Sequence, residues 1–128
     1  MPSENAIKVS NLTKYYGELL AVDHISFEVK SRELFGLLGP NGAGKTTTIR
    51  MICGMLRPTS GTVIVADFDV SQKPEEVKQR IGLVPDISNL FGELSARVNL
   101  ELMWKLYGLD KKTRRELIDQ VLEIFNLK

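Results

Sequence analysis

Gly39-Pro40-Asn41-Gly42-Ala43-Gly44-Lys45-Thr46 fits the pattern G-x-x-x-x-G-K-[ST], and the residues on either side give it a structural context. Before it, Leu34-Phe35-Gly36-Leu37-Leu38 is apolar on both faces, as a strand buried in a parallel sheet is. After it, from Lys45 to Leu56, the apolar residues Ile49, Ile52, Cys53 and Leu56 recur at three- and four-residue steps, which predicts a helix. Strand, glycine-rich loop and helix make a phosphate-binding loop. Glycines let backbone N–H groups converge on one point without obstruction by Cβ atoms. The helix adds its N-terminal dipole and unpaired N–H groups. Lys45 supplies a mobile positive charge for β- and γ-phosphates, and the Thr46 hydroxyl is a hard oxygen ligand suited to Mg²⁺. Thr47, one residue deeper, can hydrogen-bond an α-phosphate.

Working outward, Ile7–Leu12 and Ile25–Lys30 alternate apolar and polar residues and read as half-exposed strands. Tyr15-Tyr16-Gly17-Glu18 between them reads as a turn. After the loop's helix, Arg57–Gly61 is a breaker, Thr62–Val65 a β-branched strand, and Pro74–Arg80 a short helix with proline in its first turn. Ile81–Val84 reads as another short apolar strand. The rest reads as helical. Leu94, Val98, Leu102 and Leu106 fall at four-residue steps, with Met103 and Tyr107 on the adjoining row, and Gly108 stops that helix. Leu117, Val121, Ile124 and Phe125 mark the stripe of a last helix, whose other side carries Arg114, Arg115, Asp119 and Glu123. Both stripes are expected to pack into a core. The predicted architecture is α/β: an antiparallel β segment, a P-loop core and a helical region.

The 128 residues suffice for one domain or part of a larger one. Composition, 43% hydrophobic and 26% charged, excludes disorder and collagen-like structure. A net charge of +1 argues against nucleic acid as a partner. No apolar run reaches the roughly 20 residues that span a bilayer, and the first residues lack the pattern of a secretory signal. A single cysteine, Cys53, excludes an internal disulfide and a cysteine zinc cage. These features suggest a cytosolic protein.

Gly-Pro-Asn-Gly-Ala-Gly-Lys-Thr-Thr-Thr, with its surroundings from Ile7 onward, resembles the ATP-binding subunit of an ATP-binding cassette (ABC) transporter. The resemblance implies ATP and Mg²⁺ as cofactors, bound by Gly39, Pro40, Asn41, Gly42, Ala43, Gly44, Lys45, Thr46 and Thr47, with Thr46 at the metal. Asn11–Gly17 resembles the family's N-terminal segment, whose aromatic residue stacks on adenine. Tyr16 is the better match and Tyr15 the runner-up; a packing tyrosine in a turn is the plainer alternative. Leu56–Gly61 resembles the link from the P-loop helix into the next strand. Ile81–Pro85 resembles the approach to the Q-loop, where a glutamine normally follows the proline. Asp86 stands there instead. It is shorter, charged and without an amide donor, yet it can ligate Mg²⁺ through an oxygen, directly or through water. A plain turn aspartate is the other reading. Leu90–Ser95 with Asn99-Leu100 resembles the start of the helical subdomain, which in this family faces the membrane subunits.

The resemblance implies an incomplete ABC ATPase fold: residues 1–32 an antiparallel β segment, 33–84 the P-loop core, and 85–128 the Q-loop and start of the helical subdomain. No Leu-Ser-Gly-Gly-Gln signature, no apolar strand ending in Asp-Glu and no switch histidine occurs in the sequence; His24 lies far too early. These motifs are expected beyond residue 128, so this chain is expected to bind Mg·ATP and to hydrolyse it negligibly. The implied partners are a transmembrane permease subunit and a second ATPase subunit, dimerising through sandwiched ATP. The implied location is the inner face of the membrane, held peripherally by the permease. Other readings are a soluble ABC protein acting on ribosome or DNA, a non-catalytic nucleotide-binding half-domain, and a P-loop kinase or GTPase.

Smaller candidates have plainer explanations. Cys53 is expected to be a core residue. Asp67 and Asp69 have a spacing common in loops, and a metal pair there is the minor reading. His24 is expected on a strand surface. Lys111, Lys112, Arg114 and Arg115 are expected to serve helix initiation and solvation.

Overall fold

The computed structural model describes residues 4–85 and 90–127, and the chain divides into two compact units, Met1–Leu83 and Val84–Lys128. The first unit holds a four-stranded sheet in the order β2-β1-β3-β4, built from β1 (Asn5–Tyr16), β2 (Leu19–Lys30), β3 (Ser60–Val65) and β4 (Phe68–Asp69). Every pairing in it is antiparallel. Two helices belong to the same unit, α1 (Lys45–Ile52) and α2 (Pro74–Lys78), the latter opening on Pro74 as predicted.

The first hairpin is longer than its alternating stretches suggest. β1 runs through Tyr16, so the turn is reduced to Gly17-Glu18, and Tyr16 pairs with Leu19. Simple alternation cannot continue over such a length, because Val9 and Leu12, three residues apart, are both buried. Extra residues resolve the conflict. Between the Val9–Phe27 and Leu12–Ile25 pairs, β1 has two residues to β2's one; between Leu12–Ile25 and Lys14–Val22, β2 has the extra residue. Asn11 (φ 48°) and His24 (φ 47°) take the left-handed conformation at these bulges. Side chains then stitch the gaps. Ser26 Oγ accepts from the Asn11 N–H at 2.8 Å, and Thr13 Oγ1 accepts from the His24 N–H at 3.1 Å while donating to the Asn11 carbonyl at 3.2 Å. Thr13 is buried because it satisfies these groups.

β3 and β4 are joined by Ala66-Asp67, both at positive φ, the two-residue primed turn that suits the twist of a hairpin. Asp69 Oδ1 accepts from the N–H groups of Ser71 and Gln72 at 2.8 and 3.2 Å, turning the chain toward α2. The core between sheet and helices is Val9, Leu12, Val22, Met51, Val63, Val65, Val70 and Val77. Cys53, at the end of α1, is buried, and that burial raises its thiol pKa above the ordinary value.

Three expectations are corrected up to Val84. α1 ends at Ile52, before Leu56, with Gly54 at φ 69° just beyond. Leu34–Leu38 is not a buried strand: it has no regular structure, and Leu34 and Leu38 are 101% and 93% exposed. Ile81–Val84 likewise forms no strand. A strand needs hydrogen-bonding neighbours, and among the described residues none pairs with either segment.

The second unit contains α3 (Ala96–Leu106) and α4 (Lys111–Ile124), packed on each other. Ser95 caps α3 by accepting from the Val98 N–H at 3.3 Å. Asn99 ties the preceding loop to the helix: its amide donates to the carbonyls of Phe91, Leu94 and Ser95 at 3.0–3.1 Å and accepts from the Phe91 N–H at 2.9 Å. Gly108 follows α3 at φ 76°, where the sequence placed the stop. The helical stripes do not bury as expected. Val98, Leu106 and Tyr107 are exposed, and Asn99 is the buried residue of α3. In α4 the buried pair is Ile118 and Leu122, with Leu117 and Val121 only partly covered and Ile124 and Phe125 exposed. Arg114 is half-buried, donating to the Leu109 carbonyl, while Arg97 and Asp119 pair across the helices at 2.7 Å.

One contact fixes the loop that precedes α1. Gly44 caps α1 at φ 88°, and a Cβ there would lie 2.4 Å from the Ala21 carbonyl oxygen of β2. Gly44→Ala is therefore expected to cost about 2 kcal/mol or more, from left-handed strain together with the clash. A urea-unfolding midpoint equal to wild type would contradict this seating.

Asp110 caps α4, accepting from the N–H groups of Lys112 and Thr113, each at 3.0 Å, and from the Thr113 hydroxyl. The Thr113 hydroxyl first, then the Thr113 N–H, hold its carboxyl below the usual 3.8. A depressed folded pKa means the cap's contribution is complete above the unfolded value and is lost as pH falls through the folded one. Helicity is expected to stay level from neutral pH to about 4 and to drop below that. Asp110→Asn, which keeps a capping oxygen that does not titrate, should remove that step; a titration unchanged by the substitution would contradict the assignment.

Candidate nucleotide site

α1 begins at Lys45 and has no side-chain cap and no acidic residue in its first turn, so its N-terminal N–H groups and dipole face outward unneutralised. The helix is anchored one turn in. Thr48 is buried, and both its N–H and its hydroxyl donate to the Gly44 carbonyl, at 2.8 and 2.9 Å. The preceding loop folds on itself through the Ala43 N–H, which donates to the Pro40 carbonyl at 3.1 Å. Lys45 holds the same loop from within: its ammonium donates to the Gly39 carbonyl, and to the Pro40 carbonyl at 2.8 Å. Gly39 and Pro40 thus fix the Lys45 side chain.

Tyr16, Leu19, Leu20, Ala21, Asn41, Gly42, Gly44, Lys45, Thr46 and Thr47 line an open cleft of about 350 Å³ beside this helix terminus. Among the described residues, no carboxylate lines it. The sequence separates Tyr16 from Lys45 by 29 positions, and the seat of Gly44 against Ala21 brings them to one cleft. Tyr16 is 45% exposed, leaving ring surface available. Tyr15 does not line the cleft; its N–H donates to Thr59 Oγ1 at 2.9 Å, on the link that follows α1. Gly39, Pro40 and Ala43 are not lining residues; they shape the loop and restrain Lys45. Asp86 lies outside the described residues.

Leu19, Leu20 and Ala21 were not singled out from the sequence. Leu19 and Leu20 are exposed at the start of β2, directly after the turn. Two consecutive leucines break strand alternation, which was the signal available. The minor candidates have structural roles. Among the described residues no group of three His, Cys, Asp or Glu side chains is placed to hold a metal, and Asp69 is engaged by the backbone of Ser71 and Gln72. His24 is exposed beside Asp23, with Nδ1 and Oδ1 2.5 Å apart.

Known proteins resemble this chain in sequence and fold. A family model described as ABC transporter matches residues 22–128. The "Probable multidrug ABC transporter ATP-binding protein YbhF" of Escherichia coli (strain K12) is 42% identical over 127 residues, which are 99% of this chain and 22% of that protein. The "Bacitracin transport ATP-binding protein BcrA" of Bacillus licheniformis is 42% identical over 122 residues, 95% of this chain and 39% of that one. Among solved structures, one described as "Structure of ATP binding subunit of ABC transporter" matches with a TM-score of 0.77 at 28% identity, covering 95% of this chain and 51% of the other. The chain therefore spans between about a fifth and two fifths of the curated relatives it matches. Its antiparallel sheet and helices correspond to part of the ATP-binding subunit fold. By the match over residues 22–128 and the identity to these relatives, the chain belongs to the ABC transporter family.

Proposed function

We propose that the cleft beside α1 binds ATP with Mg²⁺, and that the chain is the nucleotide-binding part of an ATPase subunit powering an ABC transporter. The observation that carries this reading is the convergence of Tyr16, Lys45, Thr46 and Thr47 on one cleft at an uncapped helix N-terminus, with no carboxylate among the described lining residues. The backbone N–H groups of the loop and of the first turn of α1 receive the phosphate oxygens. Lys45 turns from the Gly39 and Pro40 carbonyls toward the β- and γ-phosphates without leaving the loop. Thr47 hydrogen-bonds the α-phosphate, and the Tyr16 ring takes the base.

Mg²⁺ would neutralise charge on the β- and γ-phosphates. The Thr46 hydroxyl, exposed on the cleft, is the oxygen placed to hold it, and Asp86 is the second candidate by its position after Pro85. The names of the relatives, ATP-binding proteins of multidrug and bacitracin transport systems, support a permease subunit and a second ATPase subunit as partners. They also support a peripheral location at the inner face of the membrane. No described helix is long and apolar enough to cross a membrane. Residues 1–32, 33–84 and 85–128 serve as β segment, P-loop core and Q-loop with start of the helical subdomain.

Titration of the chain with ATP, followed calorimetrically with and without Mg²⁺, tests the reading. Lys45→Ala should weaken binding by about 10-fold or more, the cost of losing hydrogen bonds from a charged donor. Tyr16→Ala should weaken it about 5-fold or more, by analogy with base stacking on aromatic side chains. Thr46→Ala should reduce the difference between Mg²⁺ and Mg²⁺-free titrations. Phosphate release should be negligible, since no residue here matches the family's water-polarising glutamate; steady release that vanishes in Lys45→Ala would overturn that part. Wild-type affinity in Lys45→Ala would overturn the site.

A further inference from the structure

Tyr16 stands at the end of β1, half exposed, beside the two-residue turn. Lys14 contacts its ring. Its ammonium lies over the Tyr16 ring, 5.4 Å from the centroid, within the range of a cation–π interaction. The same ammonium donates to the Arg57 carbonyl at 2.8 Å, 43 positions further along the chain. Arg57 lies in the link between α1 and β3, and that link is fastened to β1 twice more. The Thr59 N–H donates to the Thr13 carbonyl at 2.9 Å, and Thr59 Oγ1 accepts from the Tyr15 N–H at 2.9 Å. The position of the Lys14 ammonium is therefore set by the backbone that leaves the P-loop helix, and the ring rests on it.

Resting on the nucleotide reading above, we infer that Lys14 is a positioning residue for base recognition: anchored to Arg57, it fixes the Tyr16 ring in the orientation that receives adenine. A ring that is fixed before binding loses less side-chain freedom when the base arrives. The cation also occupies one face of the ring, so a single flat ligand can stack, on the other. Lys14 does not line the cleft. Its effect must therefore reach the ligand through Tyr16 and must be confined to ligands that carry a base.

The test compares ATP with inorganic tripolyphosphate, which engages the P-loop and lacks a base, by calorimetry on the full chain. Lys14→Met keeps the alkyl stem and removes the charge. It should weaken ATP about 3- to 5-fold, the range of an exposed cation–π contact, and leave tripolyphosphate unchanged. Lys14→Arg, which retains a cation able to reach the carbonyl, should restore most of the ATP affinity and guards against a folding defect in the first variant. In a Tyr16→Ala background, Lys14→Met should have no further effect. Equal weakening of ATP and tripolyphosphate, unchanged ATP affinity in Lys14→Met, or an effect that persists without Tyr16 would each overturn the inference while leaving the P-loop reading intact. A wild-type chain that binds ATP no better than Lys45→Ala would overturn the nucleotide reading, and the role of Lys14 with it.

Discussion

The contact between Gly44 and the Ala21 carbonyl governs the geometry of the site. It sets the N-terminus of α1 against the start of β2, and the tight turn at Gly17-Glu18 then returns the chain to Tyr16. No side chain can be interposed, because a Cβ on Gly44 would enter the carbonyl's space at 2.4 Å. The closeness of a helix terminus and an aromatic ring thus rests on the absence of an atom. Thr48, bonded to the Gly44 carbonyl by both its donors, secures the other side of the same residue. The seat is held from the sheet and from the helix at once.

Bulges in β1 and β2 make that arrangement compatible with a core. A regular strand sends alternate residues inward and cannot bury both Val9 and Leu12. The extra residue at Asn11 shifts the phase so that both reach the interior, and the extra residue on β2 near His24 restores pairing for the run to Tyr16. Ser26 and Thr13 supply side-chain partners for the backbone groups of the left-handed residues at these bulges. The hairpin bends, and its far end arrives beside the P-loop.

The sequence was informative where physics is local. The P-loop helix, the proline-started α2, the stop at Gly108 and the strand before Ala66 all follow from residues within a few positions of the feature. It misled where burial depends on a neighbour. Leu34–Leu38 has the apolar character of a central strand, but composition reports only what a segment would bury, never whether strands lie alongside it. The stripes on α3 and α4 failed for the same reason: Ile118 and Leu122 face the partner helix, while Ile124 and Phe125 belong to a row with no covering group among the described residues. At the proposed site, the loop residues are read from pattern and Tyr16 from resemblance alone. Leu19, Leu20 and Ala21 are read from neither, because they carry no chemistry of their own and matter only through where the bulged hairpin sets them.

Electrostatically, the site shows why net charge is a poor guide to ligand chemistry. The chain as a whole is nearly neutral, at +1, yet the described lining of the cleft gathers one ammonium, one helix dipole and no carboxylate. What an anion meets is this local field. Its donors include the backbone N–H groups of the uncapped helix terminus, which substitution cannot remove and can only displace. Sequence therefore controls the site at few points: the glycine that lets the loop approach β2, the lysine held by its own loop carbonyls, and the ring that completes the far wall. Lys45 is already hydrogen-bonded to the Gly39 and Pro40 carbonyls. In the proposed complex it exchanges carbonyl partners for phosphate oxygens, and hydrogen bonds between two charged groups are the stronger kind.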